Sequence, residues 1–192
     1  METISAVYTE GRVAVPARNE ASSLYQDGYG SLLGDGRLLT LKPVEALYLV
    51  EKMRIAVIDE ESRRKLVFQE LLWRFSSKNP LIWTRYLVYR DLRSRGFVVR
   101  DGPGLGVDFL VYERGAYGKR PPRYHVHAVW EGSPEPIRRL CEVLEAAGES
   151  SRTLRLAVID RRGEVVYYTL SEREFEKQEE GGAIGGGSAH PA

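Results

Sequence analysis

The sequence predicts a mixed α+β and α/β protein in two parts. A small N-terminal α+β unit spans residues 1–77, and a C-terminal mixed-sheet α/β unit spans 78–175. Three observations lead there. In the first third, short β-type runs punctuated by turns alternate with helical stretches. The polar segment Ser76-Ser77-Lys78-Asn79-Pro80 then interrupts the pattern, because Pro80 and its neighbours stop one helix and can start another. Beyond it, a helix, three strands, a helix and two strands follow, and those strands are too apolar to face water on both sides.

Taken in order, residues 4–9 and 11–16 read as strands meeting in a hairpin at Glu10-Gly11. A polar loop runs through Asp27-Gly28-Tyr29-Gly30 and Gly34-Asp35-Gly36 before a strand at 37–41. Pro43 suits a first helical turn, and Val44, Leu47, Tyr48 and Met53 recur at helical spacing. Residues 53–59 form a buried strand. Asp59 then caps a helix over 60–75, with Leu66, Val67, Leu71 and Phe75 on one stripe. In the second part, 83–95 is an amphipathic helix ended by Gly96, and 97–100, 107–113 and 124–130 are strands. Residues 134–147 form a helix, and 154–160 and 164–170 close as a hairpin around Arg161-Arg162-Gly163. The stretch 176–192 reads as a flexible Gly-rich tail that cannot bury enough surface to order itself.

With 192 residues, 43% hydrophobic and 29% charged, the chain can bury a real core, which excludes disorder over most of its length. A net charge of +1 excludes a polycation that wraps nucleic acid, although a neutral total can conceal a local basic patch. Of the 28 basic residues six are Lys (42, 52, 65, 78, 119 and 177), leaving 28 − 6 = 22 Arg. Arg offers a fixed fork of donors suited to ion pairs and phosphate, and a GC-rich genome produces the same bias. The single cysteine, Cys141, excludes an internal disulfide and a multi-cysteine zinc site. Neither a secretory leader nor a run of 18 apolar residues is present, so the expectation is a soluble, cytoplasmic protein without a membrane partner.

Candidate chemistry is sparse. His125 and His127 lie two apart on a predicted strand and so share a face, but no third ligand lies near them in sequence, and no metal or other cofactor is expected. The run Asp101-Gly102-Pro103-Gly104-Leu105-Gly106 lacks the Lys-Ser/Thr of a phosphate-binding loop and joins strand to strand, which makes it a tight β-connection. Two basic clusters stand out. Arg90, Arg93 and Arg95 end the 83–95 helix, where cations also complement the helix dipole. Lys119, Arg120 and Arg123 flank Pro121-Pro122 in a loop without acids. Tyr112, Tyr117 and Tyr124 interleave with these cations, the combination that phosphate contact and base stacking on RNA require. A solvated loop and an ordinary helix end would carry the same residues.

The run YLVYRDLRSRGFVVRDGPGLGVDFLVYERG (86–115) resembles the tRNA-splicing endonuclease family in its archaeal form. Residues 42–59 resemble that family's N-terminal domain and 156–170 its C-terminal strand pair, so the resemblance covers about 36 to 172. It implies a two-domain subunit whose C-terminal α/β domain is nuclease-like. Four such units cut precursor tRNA at intron boundaries, usually in a bulge-helix-bulge, by metal-free transesterification. In that chemistry a Tyr takes the proton of the ribose 2′-OH, a His protonates the leaving 5′-oxygen and a Lys stabilises the phosphorane. The ends left are a 2′,3′-cyclic phosphate and a 5′-OH.

Carried over residue by residue, the Tyr is Tyr112, the His position falls on Pro121, and the Lys position falls on Arg152. Proline cannot donate a proton, and arginine keeps the charge with a different reach. The resemblance therefore implies a non-catalytic, structural subunit that pairs with a catalytic chain in a heterotetramer, two copies of each, and helps bind precursor tRNA. Its expected RNA contacts are Lys119, Arg120, Arg123, Arg90 and Arg93. Its expected interface is the apolar strand near the chain end, through Val165, Tyr167 and Thr169 or their alternates. The hairpin loop Asp160 to Glu164 is the expected second contact, although its two arginines nearly cancel its acids. Two rival readings remain open: an active subunit using His125 or His127 as the acid, and a free-standing RNA-binding module.

Overall fold

A computed structural model describes residues 3–34, 38–104, 106–148 and 153–170. Arg152, the 176–192 stretch and residues 35–37 lie outside the described residues. The fold class expected from sequence holds: two sheets and five helices build a mixed α/β protein.

The first sheet has six strands. The hairpin β1 (Ile4–Thr9) and β2 (Arg12–Val15) is antiparallel, with Tyr8 opposite Val13. β3 (Ser31–Leu33) and β4 (Leu38–Leu41) extend it on the β2 side, while β5 (Ile55–Asp59) pairs parallel to β1 and carries β6 (Lys65–Leu66) at the far edge. Helix α2 (Pro43–Glu51) supplies the crossover that a parallel β1–β5 pair needs. Its start is fixed by Pro43 and by Glu45, whose carboxylate accepts the Lys42 backbone N–H at 2.8 Å.

Two elements differ from expectation. Residues 18–26, to which the sequence pattern assigns no element, form helix α1 (Arg18–Gln26), which buries only Ala21 and Leu24 and so leaves a weak apolar stripe in the sequence. The helix expected over 60–75 is a turn, then β6, then the shorter helix α3 (Phe68–Ser76). Asp59 does not cap it. Its carboxylate accepts Ser62 Oγ at 2.8 Å and Arg74 Nη2 at 2.9 Å, which ties the turn to α3 from the side. Arg63 adopts a left-handed φ of 57°, ending any helical path there, and Glu70 accepts the Val67 backbone N–H at 3.1 Å to begin α3 afresh.

The second sheet runs β11-β10-β9-β8-β7. The hairpin β7 (Val98–Gly104) and β8 (Val107–Tyr112) has a register shift between Asp101 and Gly104. A Cβ on Gly102 would lie 1.9 Å from the Val107 carbonyl oxygen, so this glycine-rich run is the close β-connection expected. β9 (Tyr124–Trp130) pairs antiparallel with β8 and parallel with β10 (Thr153–Ile159), the crossover being α5 (Ile137–Gly148), and β11 (Val165–Leu170) closes the far edge against β10.

Helix α4 (Ile82–Ser94) joins the two sheets. Its buried residues Tyr86, Val88 and Tyr89 belong to one continuous core that runs from Ala6 in β1 to Ile159 in β10. Tyr89 meets Tyr48 of α2 edge-on at 5.8 Å and Phe109 of β8 at 6.0 Å, so one ring bridges the two units. Among the described residues, the opposite face of the second sheet, under α5, holds a small buried cluster of Val107, Val143 and Leu154, with Leu110, Leu144 and Leu170 packed against it.

Candidate functional site

Strand alternation sorts β8 and β9 into two faces. Phe109 and Val111 of β8, with Val126 of β9, point into the α4 core. Leu110 and Tyr112 point the other way, and because Leu110 pairs with His125, that histidine shares their face. Tyr112 lies two residues along β8 from Leu110, which makes Tyr112 and His125 diagonal cross-strand neighbours, a spacing of about 7–8 Å. His125 is 3% exposed and lies between Leu110 of β8 and Leu154 of β10 in the pairing. The Tyr112 ring meets Tyr117 edge-on at 5.1 Å, so the turn after β8 folds back over the strand end. Arg100 of β7 in turn stacks over Tyr117 at 5.4 Å and pairs with the buried Glu45 at 3.2 Å. Burial raises the Glu45 carboxyl above its ordinary range, while Arg100 and the N–H groups of Lys42 and Gly30 pull it back.

His127, the second histidine, has a different environment. Its Nδ1 is 3.1 Å from Asp108 Oδ2, and its Nε2 is 3.4 Å from Glu135 Oε1. Asp108 also accepts the Ala128 backbone N–H at 2.8 Å and pairs with Arg85, which reaches Asp101 at 3.1 Å. Burial pushes the imidazole towards neutrality, but the two carboxylates together outweigh it and raise its pKa. This is a satisfied buried network that fastens the β9–α5 connection to β8. Among the described residues no group of three or more His, Cys, Asp or Glu could hold a metal ion.

The expected cations separate on inspection. Lys119 and Arg120 are exposed on the turn after β8, with Pro121 beside them, and neither makes an ion pair among the described residues. Arg123 pairs with Glu113 and stacks over Tyr124 at 5.0 Å. Arg90 pairs with Glu51 of α2 at 3.5 Å. Arg93 is half-buried, donating to the carbonyls of Asp27 at 3.1 Å and Phe97 at 3.3 Å and stacking over Tyr29 at 4.0 Å. A helix-end position gave no sign of this, because the partners come from a loop 66 residues earlier.

At the edge strand β11, Val165 and Tyr167 turn towards their own core, and Tyr167 donates to Asp91 of α4 at 2.8 Å. Their alternates Val166 and Tyr168 are the outward pair, 48% and 55% exposed, while Thr169 is exposed and bonded to Arg155. In the β10–β11 loop the Asp160 carboxylate accepts the N–H groups of Arg162 at 2.8 Å and Glu164 at 2.9 Å, so the acid shapes the turn and the two arginines form its exposed tip.

Sequence reasoning missed three buried or half-buried ion pairs: Glu45 with Arg100, Arg85 with Asp108, and Arg74 with Asp59. A signal existed for one of them, since a glutamate at the third position of a helix after a lysine is a capping pattern.

The sequence model of the "tRNA intron endonuclease, N-terminal domain" matches residues 4–72, and that of the "tRNA intron endonuclease, catalytic C-terminal domain" matches 82–167. Among curated proteins, the tRNA-splicing endonuclease of Methanococcus maripaludis is 34% identical over 169 residues, covering 88% of this chain and 94% of its own. That of Pyrococcus furiosus is 33% identical over 177 residues, covering 91% and 100%.

Proposed function

The chain belongs to the tRNA-splicing endonuclease family, and from that premise we propose that it is a subunit of a cytoplasmic enzyme that cuts precursor tRNA at intron boundaries, with the face shared by β8 and β9 as its cleavage surface. One observation carries this reading: the pairing of Leu110 with His125 sets a histidine on the same face as Tyr112, one diagonal step away. Tyr112 accepts the proton of the 2′-OH as that oxygen attacks the adjacent phosphorus. The bond from phosphorus to the 5′-oxygen breaks, and His125 gives that oxygen a proton. The products are a 2′,3′-cyclic phosphate and a 5′-OH. The cation that steadies the phosphorane falls to Arg152. For His125 to meet RNA, the turn at 116–123 must lift, and the left-handed glycines Gly115, at its base, and Gly118 give it freedom to do so.

A second reading has its own support. Pro121 stands exposed on that turn where the family's acid is expected, and His125 is buried. On this reading residues 1–77 and 78–175 form the two domains of a structural subunit, paired with a catalytic chain two copies to two, and β11 and the Asp160 to Glu164 loop make the contact. Cleavage of a bulge-helix-bulge precursor in the presence of EDTA separates the two. Activity from the chain alone, lost in Tyr112→Phe and His125→Ala and kept in His127→Ala, establishes the first. Activity only after mixing with a catalytic-type homologue from the same source, indifferent to His125→Ala in this chain, establishes the second. Absence of cleavage in both arrangements overturns both.

A further inference from the structure

A second convergence of side chains lies beside the cleavage face. The loop Asp27-Gly28-Tyr29-Gly30, between α1 and β3, is gripped by arginines from three other places in the chain. Arg54 donates to Asp27 Oδ2 at 2.7 Å. Arg93 of α4 donates to the Asp27 carbonyl, and Arg100 of β7 donates to the carbonyls of Gly28 at 3.1 Å and Gly30 at 2.6 Å. The buried Tyr29 ring carries the guanidiniums of both Arg93, at 4.0 Å, and Arg54, at 5.6 Å. The loop has no slack: Gly28 is left-handed at φ +82°, and a Cβ there would lie 2.5 Å from Val98 Cγ1.

These contacts wall a cleft of about 390 Å³. Its lining brings together Arg54, Arg93 and Arg114 against a single carboxylate, Asp27. The Arg93 charge is met by carbonyls and a ring, and it makes no ion pair among the described residues. Arg114 is exposed and makes no ion pair among the described residues. A cleft with this excess of fixed guanidiniums binds an anion, and the planar fork of arginine matches the paired oxygens of a phosphate. Its position indicates which phosphate. Arg114 lies two residues beyond Tyr112, so no more than about 7 Å of chain separates them.

We propose that this cleft binds a backbone phosphate of the RNA next to the one that is cut, with Arg54 and Arg114 as its ligands and Arg93 as the fixed charge behind them. Asp27 holds Arg54 in place until RNA displaces it. The inference rests on the reading that the chain engages precursor tRNA, and its test keeps the two apart.

The probe is a bulge-helix-bulge precursor with 2′-deoxy residues at both cut sites, which binds without reacting. Its affinity for the full chain, together with its catalytic partner if activity needs one, is measured by anisotropy across a salt series. Arg54→Gln and Arg114→Gln are each expected to weaken binding about 3- to 10-fold and to lower the slope of log K against log salt by about one. Asp27→Asn, which removes the competing acid, is expected to tighten binding. That opposite sign cannot come from misfolding. Lys65→Gln, on the far edge strand β6, is expected to change nothing beyond a small electrostatic background. Unaltered affinity and slope in both arginine variants, with wild-type binding intact, overturns the cleft and leaves the proposed function standing. No binding by wild type removes the proposed function itself. Inorganic phosphate is the remaining arm: if it raises the melting temperature of wild type but not of Arg54→Gln, while RNA affinity is the same in both, the cleft is a free-phosphate site and the proposal fails.

Discussion

The two faces of the second sheet are built differently. The face towards α4 is continuous with the core of the whole molecule and is packed with rings, Phe109 against Tyr89 and Tyr89 against Tyr48. Among the described residues, the face towards α5 has a cluster of three buried residues with Leu110, Leu144 and Leu170 packed against it, and beside them it carries polar groups: Tyr112, His125, and the Asp108–His127–Glu135 chain. Burial by α4 supplies stability, and on the active reading the side with the thinner cover, under α5, is the one that carries the chemistry. A reacting group needs access and a tuned proton affinity, which a close-packed aromatic face cannot offer.

The largest expected effect sharpens that contrast at its functional end. On the active reading, Tyr112→Phe keeps the ring packed against Tyr117 and removes only the hydroxyl. Cleavage under single-turnover conditions is expected to fall about 10²- to 10⁴-fold, the contribution of one positioned acid–base group. The urea midpoint should stay near that of wild type. A matching loss of stability would mean that Tyr112 is a packing residue and the two faces are not divided in this way.

Core truncations probe the other end. Phe109→Ala, on the α4 face, is expected to cost about 3–5 kcal/mol, because it opens a cavity that the Tyr89 ring cannot fill. Val143→Ala, the buried anchor of α5, is expected to cost about 1–2 kcal/mol. Urea unfolding at fixed pH measures both. Similar losses at the two sites would break the comparison.

The same contrast explains what could be read from sequence. Strands β5, β8 and β10 are legible because alternating apolar residues on them face a core, and helix α4 because Tyr86, Val88, Tyr89 and Leu92 are buried within it. Helix α1 is not legible, because its burial is confined to Ala21 and Leu24. The β6 strand is two residues long and owes its existence to pairing with Val57 and Ile58, which no local pattern announces. At the site, the residue type and strand position of Tyr112 were readable. His125 was readable only as one of two candidates with His127, since the choice depends on register, and register depends on how β8 and β9 pair. The contacts of Arg93 were hidden for the same kind of reason: Tyr29 and the Asp27 carbonyl are local to it only after folding.

The smallest expected effect is a pH dependence on the α5 face. Asp108 and Glu135 favour the charged form of His127, with Arg85 behind Asp108, and with Arg139 at 3.4 Å from Glu135 opposing. Its pKa in the fold lies above the ordinary value of 6.5, since the carboxylates outweigh burial. A histidine raised in the fold binds its proton more tightly folded than unfolded, so it contributes stability fully below 6.5, and that contribution fades as pH rises through the folded value. The stability gap between wild type and His127→Gln, from urea unfolding at a series of pH values, should therefore be widest on the acid side and narrow towards alkaline pH. Glutamine keeps a hydrogen bond to Asp108 but cannot carry the charge. A gap that is constant with pH would mean that the imidazole sits neutral between the carboxylates, and that the α5 face holds its polar groups by hydrogen bonding alone.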